Sequence, residues 1–142
     1  MNTSWAQDGI TVAGSNERGD ELNQLNSPLG IYVDADRTVY VADWFNHRIM
    51  EWKFGANTGR IVAGGNGEGS QANQLQSPAD ITIDKRSNCF IIADRVNNRI
   101  VQWPCHNGTQ GRIVVSNVDC WGLALDNDGN LYVSDVSKHE VK

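Results

Sequence analysis

Three aspartates recur at the same place in a repeated stretch of the chain, and this pattern could in principle bind a cation. Asp43, Asp94 and Asp135 each follow a short apolar run and precede a polar turn. A ring of carboxylates from neighbouring repeats could bind calcium. A short polar side chain at the end of a strand can equally cap the amides of the following turn, and we favour this structural interpretation. No metal site is therefore predicted.

Asparagine and arginine accompany the aspartates at fixed offsets. Asn46 and Arg48 in the first copy match Asn97 and Arg99 in the second. The asparagines are expected to cap the same turns, because short polar side chains hydrogen-bond to nearby backbone groups. Each arginine is expected to bridge to an acidic group within or between repeats. We interpret these recurring positions as contacts of the scaffold.

Other residues of the polar turn differ between copies and are the candidate ligand contacts. Loops that a rigid scaffold carries often hold binding specificity, and exposed aromatic residues are frequent in binding surfaces. For the aromatic pair we favour the alternative, packing against the next repeat, and for the histidines simple exposure. The candidate contacts are Trp44, Phe45, His47, Arg95, Asn98 and His139.

The cysteines and one glycosylation sequence give evidence about the cellular location of the protein. Cys105 and Cys120 flank a predicted strand and could form a disulfide, although two free thiols are the favoured interpretation. Asn107-Gly108-Thr109 is a glycosylation acceptor sequence in a predicted turn. Together these features slightly favour an extracellular location over a cytoplasmic one. No cysteine–histidine spacing indicates zinc, no catalytic nucleophile arrangement is recognisable, and no cofactor is predicted.

Composition limits the class of protein. The chain has 142 residues, 39% of them hydrophobic and 20% charged, which is typical of a folded domain with its own core. The sequence has no apolar run of about 20 residues that could span a membrane. The net charge is −5, and the 12 lysines and arginines are scattered, so a nucleic-acid partner is not expected.

The repeated stretch predicts strands and turns without helices. Apolar residues alternate with polar or smaller ones, and turn residues separate the short runs. Each full copy contains four predicted antiparallel strands, and the copies recur about fifty residues apart. The predicted strands are 10–14, 30–34, 39–43, 48–52, 61–64, 80–84, 90–94, 99–103, 113–115, 122–126 and 131–135.

A tandem array of four-stranded units is typical of a β-propeller, in which each sheet buries its faces against its neighbours. The fold class is therefore all-β, a partial propeller of four-stranded antiparallel blades. We expect the chain to be part of a larger closed ring of about six blades, with self-association of a complete short chain as the alternative. The predicted units are an N-terminal segment 1–27 with the last strand of a preceding blade and an interblade loop, blade 28–65, interblade loop 66–77, blade 78–116 and incomplete blade 117–142.

The repeat resembles the NHL repeat. The resemblance rests on three short motifs of the first copy and extends over about 10–142, although the third copy departs further from the pattern. These motifs are Pro28-x-Gly30-Ile31-x-Val33-Asp34, Val39-Tyr40-Val41-Ala42-Asp43 and Asn46-His47-Arg48-Ile49.

Several functions are compatible with this resemblance. Most NHL propellers are binding platforms for proteins, so the resemblance implies a non-catalytic scaffold that binds a protein or another macromolecule. One alternative is a metal-dependent enzyme of the amidating-lyase or lactonase kind, whose ligands come from several blades. Another is an RNA-binding or ubiquitin-ligase-associated propeller, but the acidity of the chain does not favour RNA, and no Cys/His-rich partner domain accompanies the repeats.

Overall fold

The computed structural model describes residues 4–14 and 17–142 of the chain. These residues form eleven β-strands and no α-helix. Short runs of β-branched and aromatic residues between turns account for this all-β fold. The strands are β1 Pro28–Val33, β2 Val39–Asp43, β3 Arg48–Trp52, β4 Arg60–Gly64, β5 Pro78–Asp84, β6 Cys89–Asp94, β7 Arg99–Pro104, β8 Arg112–Ser116, β9 Cys120–Leu125, β10 Leu131–Asp135 and β11 Glu140–Val141.

The strands form three antiparallel sheets, each with its strands in chain order. Blade 1 contains β1 to β4, blade 2 contains β5 to β8, and blade 3 contains β9 to β11. The three sheets lie within the predicted blades 28–65, 78–116 and 117–142. In the part of the chain that the structure describes, no helix is long and apolar enough to cross a membrane.

The predicted strand at Ile10–Gly14 is not observed. Residues 10–14 pair with no strand in the described structure, and Ile10 and Val12 are exposed. A strand is stabilised by hydrogen bonds to a neighbouring strand and by packing of its apolar side chains. Residues 10–14 have no such neighbour, and their large apolar side chains are exposed. The prediction from sequence was therefore wrong for this segment in the isolated chain.

The core lies between the blades. One cluster joins blades 1 and 2 and includes Tyr40, Ile49, Leu75, Phe90 and Trp103. A second joins blades 2 and 3. Blade 2 is thus covered on both faces, which explains why its central strand is apolar at almost every position.

The cysteines lie in different parts of this core and are free thiols. Cys105 packs against the cluster between blades 1 and 2, whereas Cys120 is buried in the cluster between blades 2 and 3. The structure therefore contradicts a Cys105–Cys120 disulfide. Burial raises the pKa of the Cys105 thiol to about 11 and that of Cys120 to about 12, so both stay protonated near neutral pH.

The inner strands of the three blades, β1, β5 and β9, pack side by side. Gly30 allows β1 to lie close to β5, because a Cβ at this position would be only 2.5 Å from the Cα of Asp80. The Asp80 carboxylate accepts a hydrogen bond from the Leu123 amide of β9 at 2.8 Å. Partial burial raises the pKa of Asp80. Sequence reasoning did not single out Asp80. The available signal was that the other two copies have glycine, Gly30 and Gly122, at the same position.

Candidate functional site

One edge of each sheet carries the repeated aspartate, and we call this side of the molecule the Asp edge. In blade 1 the residues Pro28, Asp43, Arg48 and Gly64 lie side by side across the four strands at this edge. The turn between the second and third strands and the linker to the next blade both lie here. All the turn residues that the sequence singled out as ligand contacts are therefore on the Asp edge.

The Asp43 side chain is buried at the centre of a hydrogen-bond network in blade 1. Its oxygens accept bonds from the Asn26 amide at 2.7 Å, from Asn46 Nδ2 at 2.8 Å and from Arg48 Nε at 2.7 Å. The Arg48 guanidinium then donates to the carbonyl oxygens of residues 20, 21 and 24. The network therefore holds the linker that precedes the blade against its sheet.

Blade 2 repeats this network almost atom for atom. Asp94 accepts from the Gln76 amide at 2.7 Å, from Asn97 Nδ2 at 2.8 Å and from Arg99 Nε at 2.6 Å. The guanidinium of Arg99 donates to the carbonyls of Ser70 and of residues 71 and 74. The predicted capping of the following turn was wrong, because neither Asp43 nor Asp94 forms a side-chain cap to that turn and each carboxylate accepts the amide of the preceding linker instead. The predicted ion pairs of the two arginines are observed, and both are with the aspartate of the same blade.

Blade 3 keeps the aspartate but changes its partners. Glu140 replaces the arginine, and Asp135 instead contacts the Ser137 hydroxyl at 2.9 Å and Lys138 Nζ at 3.3 Å. Although burial alone would raise it, the pKa of Asp135 falls to about 2 because of these two partners. Among residues 4–14 and 17–142, no group of three or more His, Cys, Asp or Glu side chains is arranged to hold a metal ion.

A stacked aromatic pair brings blades 1 and 3 together on the Asp edge. The rings of Trp44 and Trp121 are 5.4 Å apart with an interplanar angle of 18°. The Arg95 guanidinium of blade 2 lies 4.3 Å from the Trp121 ring centroid and 5.7 Å from that of Trp44. Arg95 Nε is also 3.2 Å from Asp119 Oδ1. Three blades thus contribute to one cluster of aromatic rings and a cation.

Two exposed apolar residues follow Trp44 and Arg95 directly in sequence. Phe45 of blade 1 and Val96 of blade 2 occupy the same place in their turns, and both side chains are exposed. We call Trp44, Phe45, Arg95, Val96 and Trp121 together the aromatic patch. Two of its members, Trp44 and Arg95, are partly buried, whereas Trp121 is exposed. The patch therefore combines two partly buried side chains with three exposed apolar ones.

Trp121 and Asp119 were missed by sequence reasoning. Trp121 follows the position of Pro28 and Pro78 in the repeat, where the other copies have Leu29 and Ala79. An aromatic residue at a position that is otherwise aliphatic was the available signal. Only the arrangement of the inner strands brings this residue to the turn of blade 1.

The histidine and asparagine candidates occupy the last position of each turn. His47, Asn98 and His139 have positive φ angles of 52°, 50° and 54°, which end the turn before the third strand. His47 is partly buried, and its Nδ1 accepts a hydrogen bond from the Ser77 amide at 3.0 Å. Asn98 and His139 are exposed. His47 therefore contacts the linker of the next blade and is only partly exposed, whereas the sequence predicted simple exposure.

Asn107 of the glycosylation sequence lies on the opposite edge of blade 2. Its turn joins β7 to β8, and the Asn107 side chain is exposed. The adjacent Gly108 carbonyl accepts a hydrogen bond from Trp103 Nε1 at 3.1 Å, which fixes the turn. The acceptor side chain is therefore accessible on the surface, away from the aromatic patch.

The three meander sheets, with their inner strands side by side, are blades of the β-propeller type. A family model described as the NHL repeat matches residues 25–50 and 117–142. The chain is therefore similar to the NHL repeat over these two ranges. The second range includes the third copy, which matches the family although Glu140 replaces the arginine of the other copies.

Solved structures show the same architecture. The chain is similar to a streptogramin B lyase with a TM-score of 0.58 and 17% identity, covering 81% of this chain and 39% of that one. It is also similar to a putative exported protein from Bacteroides fragilis NCTC 9343, with a TM-score of 0.60 and 13% identity over 86% and 37% of the two chains. The chain thus spans less than two-fifths of either protein, and the similarity shows the fold alone. The comparison with curated proteins found no match.

Proposed function

We propose that this chain is a non-catalytic scaffold that binds a protein partner through the aromatic patch. The observation that carries the proposal is the Trp44–Trp121 stack with Arg95 beside it. Exposed Phe45 and Val96 are the next residues in the same turns. Tryptophan and arginine are enriched among residues that dominate the energy of protein interfaces. Stacking restricts the Trp44 and Trp121 side chains, so covering them with a partner would cost little conformational entropy.

The charge distribution around the patch favours an apolar contact. Arg95 is paired with Asp119, so the strongest charge in the patch is already balanced within the chain. A partner that presents an aliphatic or aromatic side chain would cover Phe45 and Trp121 without leaving a charge unpaired. The partner is therefore expected to present an apolar residue to these two side chains.

Affinity capture followed by direct titration tests the proposal. A partner captured by the wild-type chain is purified, and its Kd is measured by calorimetry against Phe45→Ala and Trp121→Ala. Each substitution should weaken binding by at least about tenfold, because truncation of a hot-spot residue costs about 2 kcal/mol or more and tenfold corresponds to about 1.4 kcal/mol.

Phe54→Ala is the matched control, because Phe54 is an equally exposed aromatic residue on the opposite edge of blade 1. It should leave the Kd unchanged within about twofold. A partner whose Kd responds to Phe54→Ala and not to the two patch variants would bind elsewhere, and the proposal would be wrong.

The enzyme alternative keeps one supporting observation, the similarity in fold to a streptogramin B lyase. Incubation of the chain with streptogramin B, with and without added divalent cations, would show substrate loss by chromatography if the chain were such an enzyme. Substrate turnover would overturn the non-catalytic proposal. For the RNA alternative, the corresponding test is titration of labelled RNA at low salt, where no saturable binding is expected.

A further inference from the structure

Two arginines of this chain each hold a turn of the main chain while an aspartate balances their charge. Arg48 Nε donates to Asp43 at 2.7 Å. Arg99 Nε donates in the same way to Asp94, at 2.6 Å. The two Nη atoms of each guanidinium donate to carbonyl oxygens of the preceding linker, at distances of 2.7–3.2 Å. The fold therefore uses a charge-balanced arginine to bind polypeptide through its carbonyls.

The two bound segments share a turn and a leucine. In the first linker the Gln24 amide donates to the Glu21 carbonyl at 3.1 Å. Gln74 and Gln71 form the same bond in the second linker, also at 3.1 Å. These turns bring together the carbonyls that the arginines bind, which belong to residues 20, 21 and 24 and to residues 70, 71 and 74. A leucine follows the last carbonyl in both segments, at positions 25 and 75. The ligand of such an arginine is thus a turn with an aliphatic residue directly after it.

Arg95 and Asp119 form a third pair, but its guanidinium binds no carbonyl in the part of the chain that the structure describes. Arg95 Nε lies 3.2 Å from Asp119 Oδ1, and the Arg95 side chain is 28% exposed. The side chains of Arg48 and Arg99 are only 5% and 9% exposed. Among the Arg95 nitrogens, which form no hydrogen bond with the described residues, only Nε is fully buried. The Nη groups are therefore accessible donors at the junction of the three described blades.

An apolar surface lies beside these accessible donors. The Arg95 guanidinium is 4.3 Å from the centre of the Trp121 ring, and Trp121 is 40% exposed. Successive Cα atoms are about 3.8 Å apart, so an aliphatic residue that follows carbonyls bound to Arg95 would reach this ring. Contact with the ring also restricts the guanidinium, which lowers the entropy cost of binding. Trp121 therefore offers the aliphatic side chain a contact surface.

The charge of the third pair favours neutral carbonyls over a carboxylate as acceptors. Asp119 already balances Arg95, as other aspartates balance the two arginines that hold the linkers. A partner carboxylate at Arg95 would lie close to the like charge of Asp119, which disfavours binding. Carbonyl oxygens would accept the accessible N–H groups and leave the pair neutral.

We propose that the partner of the aromatic patch presents a turn of its main chain, whose carbonyl oxygens accept hydrogen bonds from the Nη groups of Arg95. An aliphatic residue directly after this turn covers Trp121. The proposal rests on the protein-binding function proposed above and adds the chemistry of the bound segment. Recognition then depends on the backbone shape of the partner and on one apolar side chain, so Arg95 is a specificity-determining residue of the patch.

Nuclear magnetic resonance titration with a defined peptide tests this chemistry. The probe is the segment 70–77, acetylated and amidated, which is uncharged and carries the turn that Arg99 binds with the leucine after it. The Arg95 Nε–H and Trp121 indole signals of the whole chain should shift saturably, with a Kd of about 1 mM or below. The Arg48 and Arg99 Nε–H signals should not shift, since their acceptors are already in place. No saturable shift with up to about 10 mM peptide would overturn the proposal.

Arg95→Lys tests the contribution of the guanidinium. Lysine keeps the charge but lacks the planar fork of donors, so the Kd for the peptide should rise by at least about tenfold. Arg60→Lys is the matched control, because Arg60 is also paired with a carboxylate, that of Glu51 at 3.1 Å, at the end of β3 and β4 away from the Asp edge. It should change the Kd by less than about twofold. An unchanged Kd for Arg95→Lys would overturn the proposal.

Two further titrations identify the acceptor and the apolar contact. The peptide with Leu75→Ala should bind at least about fivefold more weakly, because it loses the aliphatic contact with Trp121. Equal binding of the two peptides would overturn that contact. Sodium acetate should bind Asp119→Asn more tightly than the wild-type chain, because Arg95 then lacks its balancing charge. Acetate that binds the wild-type chain more tightly than the peptide would assign Arg95 to an anionic ligand and overturn the proposal.

The partner captured in the test of the proposed function separates the two proposals. Arg95→Lys should weaken its binding by about tenfold, as Phe45→Ala and Trp121→Ala do. A partner that responds to those two variants but not to Arg95→Lys would leave the proposed function standing and overturn the carbonyl contact. A partner that responds to none of the three would overturn both proposals.

Discussion

Asp43 and Asp94 are ionisable side chains in nearly dry surroundings, with no measurable exposure. An ionised carboxylate is destabilised by burial unless its oxygens are hydrogen-bonded and its charge is balanced. Each carboxylate here receives an amide, an asparagine and an arginine. The arginine in turn is satisfied by three linker carbonyls. The repeated aspartate, asparagine and arginine therefore satisfy one another's hydrogen bonds. This explains why all three recur together in blades 1 and 2.

Removal of one member of the network should be strongly destabilising. Asp94→Ala leaves the Arg99 guanidinium buried without its carboxylate, which typically costs about 3–5 kcal/mol. Urea unfolding followed by tryptophan fluorescence measures the change in the free energy of unfolding. Asp128→Ala is the control, because Asp128 is exposed and its carboxylate forms no hydrogen bond or ion pair with the described residues. A loss for Asp94→Ala that is no larger than that of Asp128→Ala would show that the network contributes little.

At the scale of elements, the linkers behave as ordered parts of the blades. The linker 65–77 is bound by the Arg99 guanidinium through three carbonyls. It also accepts a hydrogen bond from the Gly111 amide to the Ala72 carbonyl at 2.7 Å. Leu75 fills the space beneath Gly64 and is fully buried. The linker therefore fills the gap between blades 1 and 2 and contributes to their packing.

Gly111 is predicted to be required for this packing. It lies against the Trp103 ring, and a Cβ there would be 2.8 Å from Trp103 Cε3. Gly111→Ala should lower the free energy of unfolding by about 1–3 kcal/mol, because the ring has no free space to move into. Gly9→Ala is the control, since no atom lies within 4 Å of that Cβ position. Thermal unfolding of the two variants measures the difference, and equal midpoints would contradict the argument.

The sequence predicted the strands and turns well, because the alternation of apolar residues and the turn residues within each repeat are local signals. Ten of the predicted strands are found close to their expected bounds, from Gly30–Asp34 through Leu131–Asp135. The prediction of a strand at Ile10–Gly14 was wrong because a strand needs a hydrogen-bonded neighbouring strand, and the local sequence pattern does not supply one. The linker contacts of Arg48 and Arg99 and the role of Trp121 were missed, because they depend on residues that are distant in sequence.

At the scale of the whole molecule, each blade contacts only its neighbours. Blade 2 is covered on both faces, whereas the end blades carry exposed apolar residues. These are Ile31 and Val33 in blade 1 and Tyr132 and Val141 in blade 3. In such an array the stability of a unit depends on its own strands and on its neighbouring interfaces. The blades of a single chain should therefore differ in local stability, with blade 2 the most stable.

Hydrogen exchange read by mass spectrometry can measure this difference. Amides of β6 and β7 should exchange most slowly, because both faces of these strands are buried, and those of β10 and β11 should exchange fastest. Equal exchange in all three blades would mean that the sheets unfold as one unit, and that the exposed apolar residues do not weaken the end blades.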